Sequence, residues 1–204
     1  MNNAAELLVY TQKFKDENGY NSEIYFNDSI LHATIILREL LIKAAQENSK
    51  TLNMYCGKFS LFRDETQRKV ENVKLDCDSS TLLGEQIVKW AEFKPFDELQ
   101  KQLSEFINDK NGTLNLIIER DFETLQKNKV WGILKAGMEN NRVRIFILTE
   151  KLGVGHFAVT EEAYRIEDSD DNKTATGCFV DRENASILND NFDSLKKLSI
   201  KVAV

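Results

Sequence analysis

Proline and glycine are scarce: Pro95 is the single proline of 204 residues, there are nine glycines, and no Ser/Gly-rich stretch reads as a linker. Modules strung on flexible connectors need such stretches, so their lack points to one domain over 1–204. Long apolar runs are missing too. None approaches the roughly 18 residues that a membrane helix needs, so no transmembrane segment is expected. The opening Met1-Asn2-Asn3-Ala4-Ala5-Glu6 has no basic head of the secretory kind, and a cytoplasmic location is the expectation. The three cysteines, Cys56, Cys77 and Cys178, are odd in number and widely spaced. They fit neither a disulfide framework nor a paired-cysteine zinc site, and read as reduced, buried thiols. Together with the only two histidines, His32 and His156, they form no metal set, and neither metal nor cofactor is expected. No Gly-x-Ser-x-Gly elbow occurs.

Positive charge is also in short supply. Against 33 acidic residues stand 27 basic ones, a formal net charge of −6. Proteins that grip nucleic acid or anionic membranes draw most of their affinity from Lys and Arg on phosphate, so attraction by the whole molecule is not available here. One local cluster goes the other way. Lys58, Arg63, Arg68 and Lys69 are interleaved with Phe59 and Phe62, the mixture that a single-strand groove uses, although Asp64, Glu65 and Glu71 bring the stretch near neutrality.

What the chain has is regular α/β alternation with 42% apolar and 29% charged residues, ordinary for a globular protein. Apolar spacing predicts a short helix over 3–16, a strand over 23–26, and a helix capped by Asp28 that carries Ile30, Ala33, Leu37, Leu40, Leu41 and Ala44. A strand over 52–56 follows. The stretch 57–90 is the least regular, with a helical patch over 82–90. Beyond it come a helix over 97–109 closed by Asn111-Gly112, a buried strand over 114–119, a helix over 122–138 and a strand over 142–148. A hairpin of 156–160 with 164–166, a strand over 175–180 and a helix over 184–198 complete the pattern. The last helix offers Ile187, Leu188, Phe192, Leu195 and Leu198 to a core.

Smaller motifs carry less. Asp168-Ser169-Asp170-Asp171-Asn172 starts like a calcium loop but has Lys173 at the sharp-turn glycine and Phe179 at the bidentate glutamate, so it reads as a solvated hairpin tip. Gly153-Val154-Gly155 precedes a strand and not a helix, and reads as a turn. His32 lies in an apolar helix and reads as a packed histidine.

The stretch from Gly155-His156-Phe157-Ala158-Val159 through Gly177-Cys178 resembles the catalytic segment of a phospholipase D-type domain. That family's signature is a His, a Lys two residues on, an Asp five beyond the Lys, and a Gly-Ser pair one strand later. Here His156 is kept, Ala158 stands at the Lys, Ala163 at the Asp and Gly177-Cys178 at Gly-Ser. The likeness spans roughly 97–198, including the final helix with Asn191-Phe192-Asp193-Ser194-Leu195. The core is then 96–204, with 1–95 as an N-terminal part. The resemblance implies an α/β fold with a mixed, mainly parallel sheet and helices on both faces, of a degenerate, single-copy bacterial type. In the family the His attacks phosphorus, the Lys steadies the phosphoryl oxygens and the acid orients the His. Losing one charge-stabilising donor costs about 100- to 1,000-fold in rate, and losing the orienting group about 10,000-fold. The expectation is therefore a non-catalytic domain that works by binding protein, with no catalytic residue. His156, Lys58, Arg63 and Arg68 are its candidate binding residues. Relatives that build a site across a two-fold interface imply a homodimer with the His156 hairpins near the axis. Nucleic acid is the second expectation and an anionic-lipid surface the third.

Overall fold

The structure is a computed structural model that describes residues 9–57, 59, 95–119, 122–150, 152–168 and 174–203. The predicted helical patch over 82–90, Cys77, and the basic residues Lys58, Arg63, Arg68 and Lys69 lie outside the described residues.

Strands β1 (Lys15–Asp16) and β2 (Gly19–Tyr20) form a small hairpin. Among the described residues, 9–12 are helical before it. The predicted helix over 3–16 is thus cut short after residue 12, where the Lys13 and Phe14 N–H groups bond the Tyr10 and Thr11 carbonyls, and Asp16 then closes the β1-β2 turn by accepting from the Asn18 N–H at 2.8 Å. The other strands, β3 (Tyr25–Asn27), β4 (Thr51–Cys56), β5 (Thr113–Glu119), β6 (Val143–Leu148), β7 (Phe157–Val159), β8 (Tyr164–Glu167), β9 (Ala175–Cys178) and β10 (Ser199–Lys201), make one sheet of order β10-β6-β5-β4-β7-β8-β9-β3. The sheet is mixed, as expected, but not mainly parallel. Only β4-β5 and β5-β6 are parallel, while the five other pairings are antiparallel. Helical crossovers are long enough to return a strand in the same direction, whereas the short turn between β7 and β8 can only reverse it.

Helices cover both faces. On one lie α1 (Ile30–Gln46), α2 (Pro95–Asn108) and α4 (Trp131–Glu139), packed over Leu52, Leu114, Leu116 and Ile145. On the other, α5 (Arg182–Lys197) lays Ala185, Leu188, Phe192 and Leu195 on Tyr55, Ile117, Phe157 and Val159. Each such Leu or Phe contributes about 1.5–3 kcal/mol by leaving water. Alternate residues of β4 and β5 therefore go to opposite cores, which explains their near-continuous apolar sequence. The sequence assigned Ile187 and Leu198 to the core as well; both are exposed, and Ala185 completes the stripe instead.

Three local differences have local causes. The N-cap of α1 is Ser29, whose Oγ accepts from the His32 N–H, while the Asp28 carboxylate meets the His32 ring. The predicted helix over 122–138 is two, α3 (Phe122–Gln126) and α4, because Asn128 Oδ1 takes the Val130 N–H and breaks the ladder. Strand β10 pairs with β6 beyond the predicted last helix.

Two polar devices fix the elements that carry the site. Glu47, just past α1, accepts from Thr160 Oγ1, Glu161 N and Glu162 N, latching the β7-β8 turn to the helix. Asn115 donates to Asn53, Asn53 to Asn189 on α5, and Asn189 to the Thr160 carbonyl, so α5 is bonded to the sheet at a defined height.

Candidate functional site around His156

Strands β4 and β5 end together at Cys56 and Glu119. Because β7 runs against β4, with Phe157 beside Tyr55, the residue before β7 arrives at that same end of the sheet. That residue is His156. The hairpin register, Phe157 opposite Ile166 and Ala158 opposite Arg165, puts Glu167 next to it, and the Glu167 N–H donates to the His156 carbonyl at 2.8 Å. Carboxyl ends of parallel strands are where open α/β sheets present their ligand crevices.

The imidazole is held from both sides. Its Nδ1 lies 3.0 Å from Glu167 Oε2, and its Nε2 lies 3.8 Å from Glu119 Oε1. Glu167 is in turn gripped by Arg165, whose Nη1 donates to Oε1 at 2.9 Å and whose Nε donates to Asn27 Oδ1 at 3.0 Å. Tyr55 donates its hydroxyl to Glu119 Oε1. Burial pushes the Glu167 carboxyl upward, but the bond to His156 and the Arg165 charge outweigh it and hold the group below the usual carboxylate range. Gly57 forms the floor: a Cβ there would stand 3.1 Å from His156 Cε1, so a side chain would crowd the ring. Burial pushes the neighbouring Cys56 thiol up to about 12, which leaves it protonated and unreactive at neutral pH.

His156, Glu167, Arg165, Tyr55 and Cys56 border a cleft whose remaining wall is apolar, from Leu37, Met54, Phe59, Phe157 and Ala158. Of the motif positions, His156 and Ala158 meet in this cleft. Ala163 does not: it is buried in the turn at the opposite end of the hairpin from His156, where Thr160 Oγ1 accepts its N–H. An acid at 163 would not reach the ring in this chain, and Glu167 takes the orienting position instead. Cys178 pairs with Tyr164 in the second core, also away from His156. Gly177 lies opposite Arg165 and serves packing, with the Tyr25 ring filling the space a side chain would need. His32 stacks on Tyr10 with ring centroids 3.9 Å apart, a packed histidine as read. Asp168 accepts from Thr176 Oγ1; residues 169–173 of the acidic tip lie outside the described residues.

Motif reading missed Glu167, Arg165, Glu119, Tyr55 and Asn27. For the first two a signal was present. Once the hairpin turn is placed at 160–163, counting outward sets Arg165 across from Ala158 and Glu167 across from His156. Glu119, Tyr55 and Asn27 come from other strands, and no local pattern points to them.

No family model matches the chain, and no curated protein sequence does. Among solved structures, it is similar to Nuc from Salmonella typhimurium, a phospholipase D family member, over 90% of this chain and 100% of Nuc, at 5% identity and a TM-score of 0.51. The fold is phospholipase D-like. A second similar structure is TrmBL2, an archaeal chromatin protein described as showing a novel mode of DNA binding, matched over 97% of this chain at 13% identity and a TM-score of 0.54. The chain spans 61% of the length of TrmBL2. At such identities the phospholipase D-like likeness speaks for architecture alone. No helix among the described residues is long and apolar enough to cross a membrane.

The depressed Glu167 carboxyl has a consequence for stability. A carboxyl whose folded value lies below its unfolded value of about 4.3 contributes stability that is fully present above that pH and is lost as pH falls through the folded value. Glu167→Gln is therefore expected to be less stable than the wild type at pH 5, with the margin closing below about pH 4. Urea titrations at stepped pH measure it. A margin that persists unchanged into strong acid would mean that the carboxyl's charge is not what stabilises.

Proposed function

We propose that this phospholipase D-like domain is a degenerate, single-copy type that does not cleave phosphodiesters and acts in the cytoplasm by binding protein, as a homodimer with the His156 hairpins near the axis. The observation that carries the reading is the setting of His156 Nε2. A phosphorus-attacking imidazole needs cations where charge builds up on the phosphoryl oxygens. At His156 the ring nitrogen that would attack faces the Glu119 carboxylate, and Arg165, the one cation among the described residues lining the cleft, is tied to Glu167. A negative group beside the nucleophile opposes entry of a negative substrate. The ordered His156–Glu167–Arg165–Asn27 chain then serves to hold the β7-β8 hairpin in one shape.

Metal-free hydrolysis of bis(p-nitrophenyl) phosphate between pH 5 and 8 tests this. Wild type and His156→Ala are expected to match the buffer rate. Turnover by the wild type that disappears in His156→Ala would overturn the reading.

The similarity to TrmBL2 favours a second reading, association with nucleic acid, in which Lys58, Arg63 and Arg68 supply phosphate contacts. The net charge of −6 weighs against it. Retention on immobilised DNA that falls steeply with salt, and is lost when those three residues are changed to alanine, would establish this reading in place of the first.

A further inference from the structure

Strand β3 is the last strand of the sheet and, among the described residues, is bonded on one side only, to β9. Its outer edge carries no lysine and no proline: residues 23–27 read Glu-Ile-Tyr-Phe-Asn. Two large apolar side chains stand in water there, Ile24 at 58% and Phe26 at 69% exposure. They are two residues apart and so share a face. Phe26 is in register with Thr176, and Thr176 with Ile166, both half-buried, so the apolar row runs inward to Phe157. Helix α5 packs on β4, β6, β7, β8 and β10, and among the described residues Phe26, at the β3 end of that face, stands exposed.

Among the described residues, the charges that flank this strand in sequence are acidic. Glu23 and Asp28 bracket the strand and Asp168 ends β8 nearby, all exposed. They decide between occupants. In an antiparallel pairing of two copies of β3 about the middle of Tyr25-Phe26, Glu23 of each copy would lie opposite Asp28 of the other. Like charges directly opposite are destabilising, so a second copy fits badly. A foreign strand with Lys or Arg at those positions and an apolar residue between them fits well.

We propose that the outer edge of β3 receives an extended, basic segment of a partner protein, which adds to the sheet as a ninth strand. The inference rests on the reading of this chain as a protein-binding module and names its partner's chemistry. Backbone bonds to Tyr25–Asn27 give register, a side chain of the incoming strand packs on Ile24 and Phe26, and its flanking cations meet Glu23 and Asp28. With only three residues on offer, the backbone contributes few bonds, and binding is weak and salt-dependent.

The probe is a fluorescein-labelled heptapeptide, Thr-Lys-Thr-Phe-Thr-Val-Lys, which sets its lysines opposite Asp28 and Glu23 when its central phenylalanine pairs with Phe26; it is titrated with the full chain and followed by anisotropy. Saturable binding is expected, weakened at least about tenfold by Phe26→Lys, by Glu23→Lys, and by replacing the central residue of the peptide with proline. Phe26 is largely exposed, so Phe26→Lys is expected to fold, which circular dichroism checks. The amide hydrogens of 25–27 are expected to exchange more slowly with peptide bound. No binding, equal binding by Phe26→Lys, or equal binding of the proline peptide would each overturn the proposal. So would wild-type self-association that Phe26→Lys abolishes, since the occupant would then be a second copy. These results are independent of the hydrolysis assay: turnover lost in His156→Ala would sink the non-catalytic reading without moving the anisotropy.

Discussion

Gly177→Ala is expected to cost about 3 kcal/mol, at the upper end of what overpacking a core does. A Cβ at 177 would lie 2.3 Å from the Tyr164 carbonyl oxygen and 2.3 Å from the Tyr25 hydroxyl, with the ring carbon behind it at 2.5 Å. Neither neighbour can yield cheaply. The carbonyl belongs to the β8 backbone, bonded on both sides, and accepts from Tyr25 Oη at 2.9 Å. The Tyr25 ring is fully buried against Phe14 and Phe179, and burial pushes its hydroxyl well above its ordinary value, so it stays a neutral donor. For a chain of this size the loss corresponds to a fall of roughly 6–12 °C in Tm. Calorimetry measures it. If the ring and the new methyl compete for one space, Tyr25→Ala combined with Gly177→Ala costs less than the two single changes added together. An unchanged Tm for Gly177→Ala would mean that β8 and β9 do not approach as described.

Arg165→Ala is expected to cost about 3–5 kcal/mol, because it leaves a buried carboxylate without its cation. Arg165 is 8% exposed, and its guanidinium joins Asn27 on β3 to Glu167 on β8, so its loss also loosens the edge strand. The partner experiment isolates the ion pair. Arg165→Ala made together with Glu167→Gln removes both charges, and the double variant is expected to be more stable than Arg165→Ala alone. Urea unfolding of the four species closes the cycle. Strict additivity would show that the pair contributes nothing and that Arg165 acts through the packing of its aliphatic stem.

Elements set by neighbouring residues were legible in the sequence, and contacts between distant strands were not. The helix over 97–109, the strands over 52–56, 114–119 and 142–148, and the hairpin after His156 were legible because each depends on local periodicity and on turn residues beside it. Where a prediction failed locally, a side chain had competed with the backbone: Asn128 split the helix over 122–138, and Asp16 closed a hairpin turn within the stretch read as helix up to residue 16. The family likeness drew attention to His156, which stands in the cleft, and to Ala163 and Cys178, which the β7-β8 turn and β9 carry away from it.

By itself, the sequence determined the alternation of helices and strands, the apolar stripe of each helix, a sheet buried on both faces, and a histidine at the start of a hairpin. These follow from spacing along a few turns or strand residues. Tertiary structure alone decided that most strand pairs run antiparallel, that Glu119 and Tyr55 stand at the ring of His156, and that β3 ends the sheet with Phe26 in water. Such neighbours are set by strand order across tens of residues of chain. Strand order is chosen by the packing of whole elements, which no local pattern records.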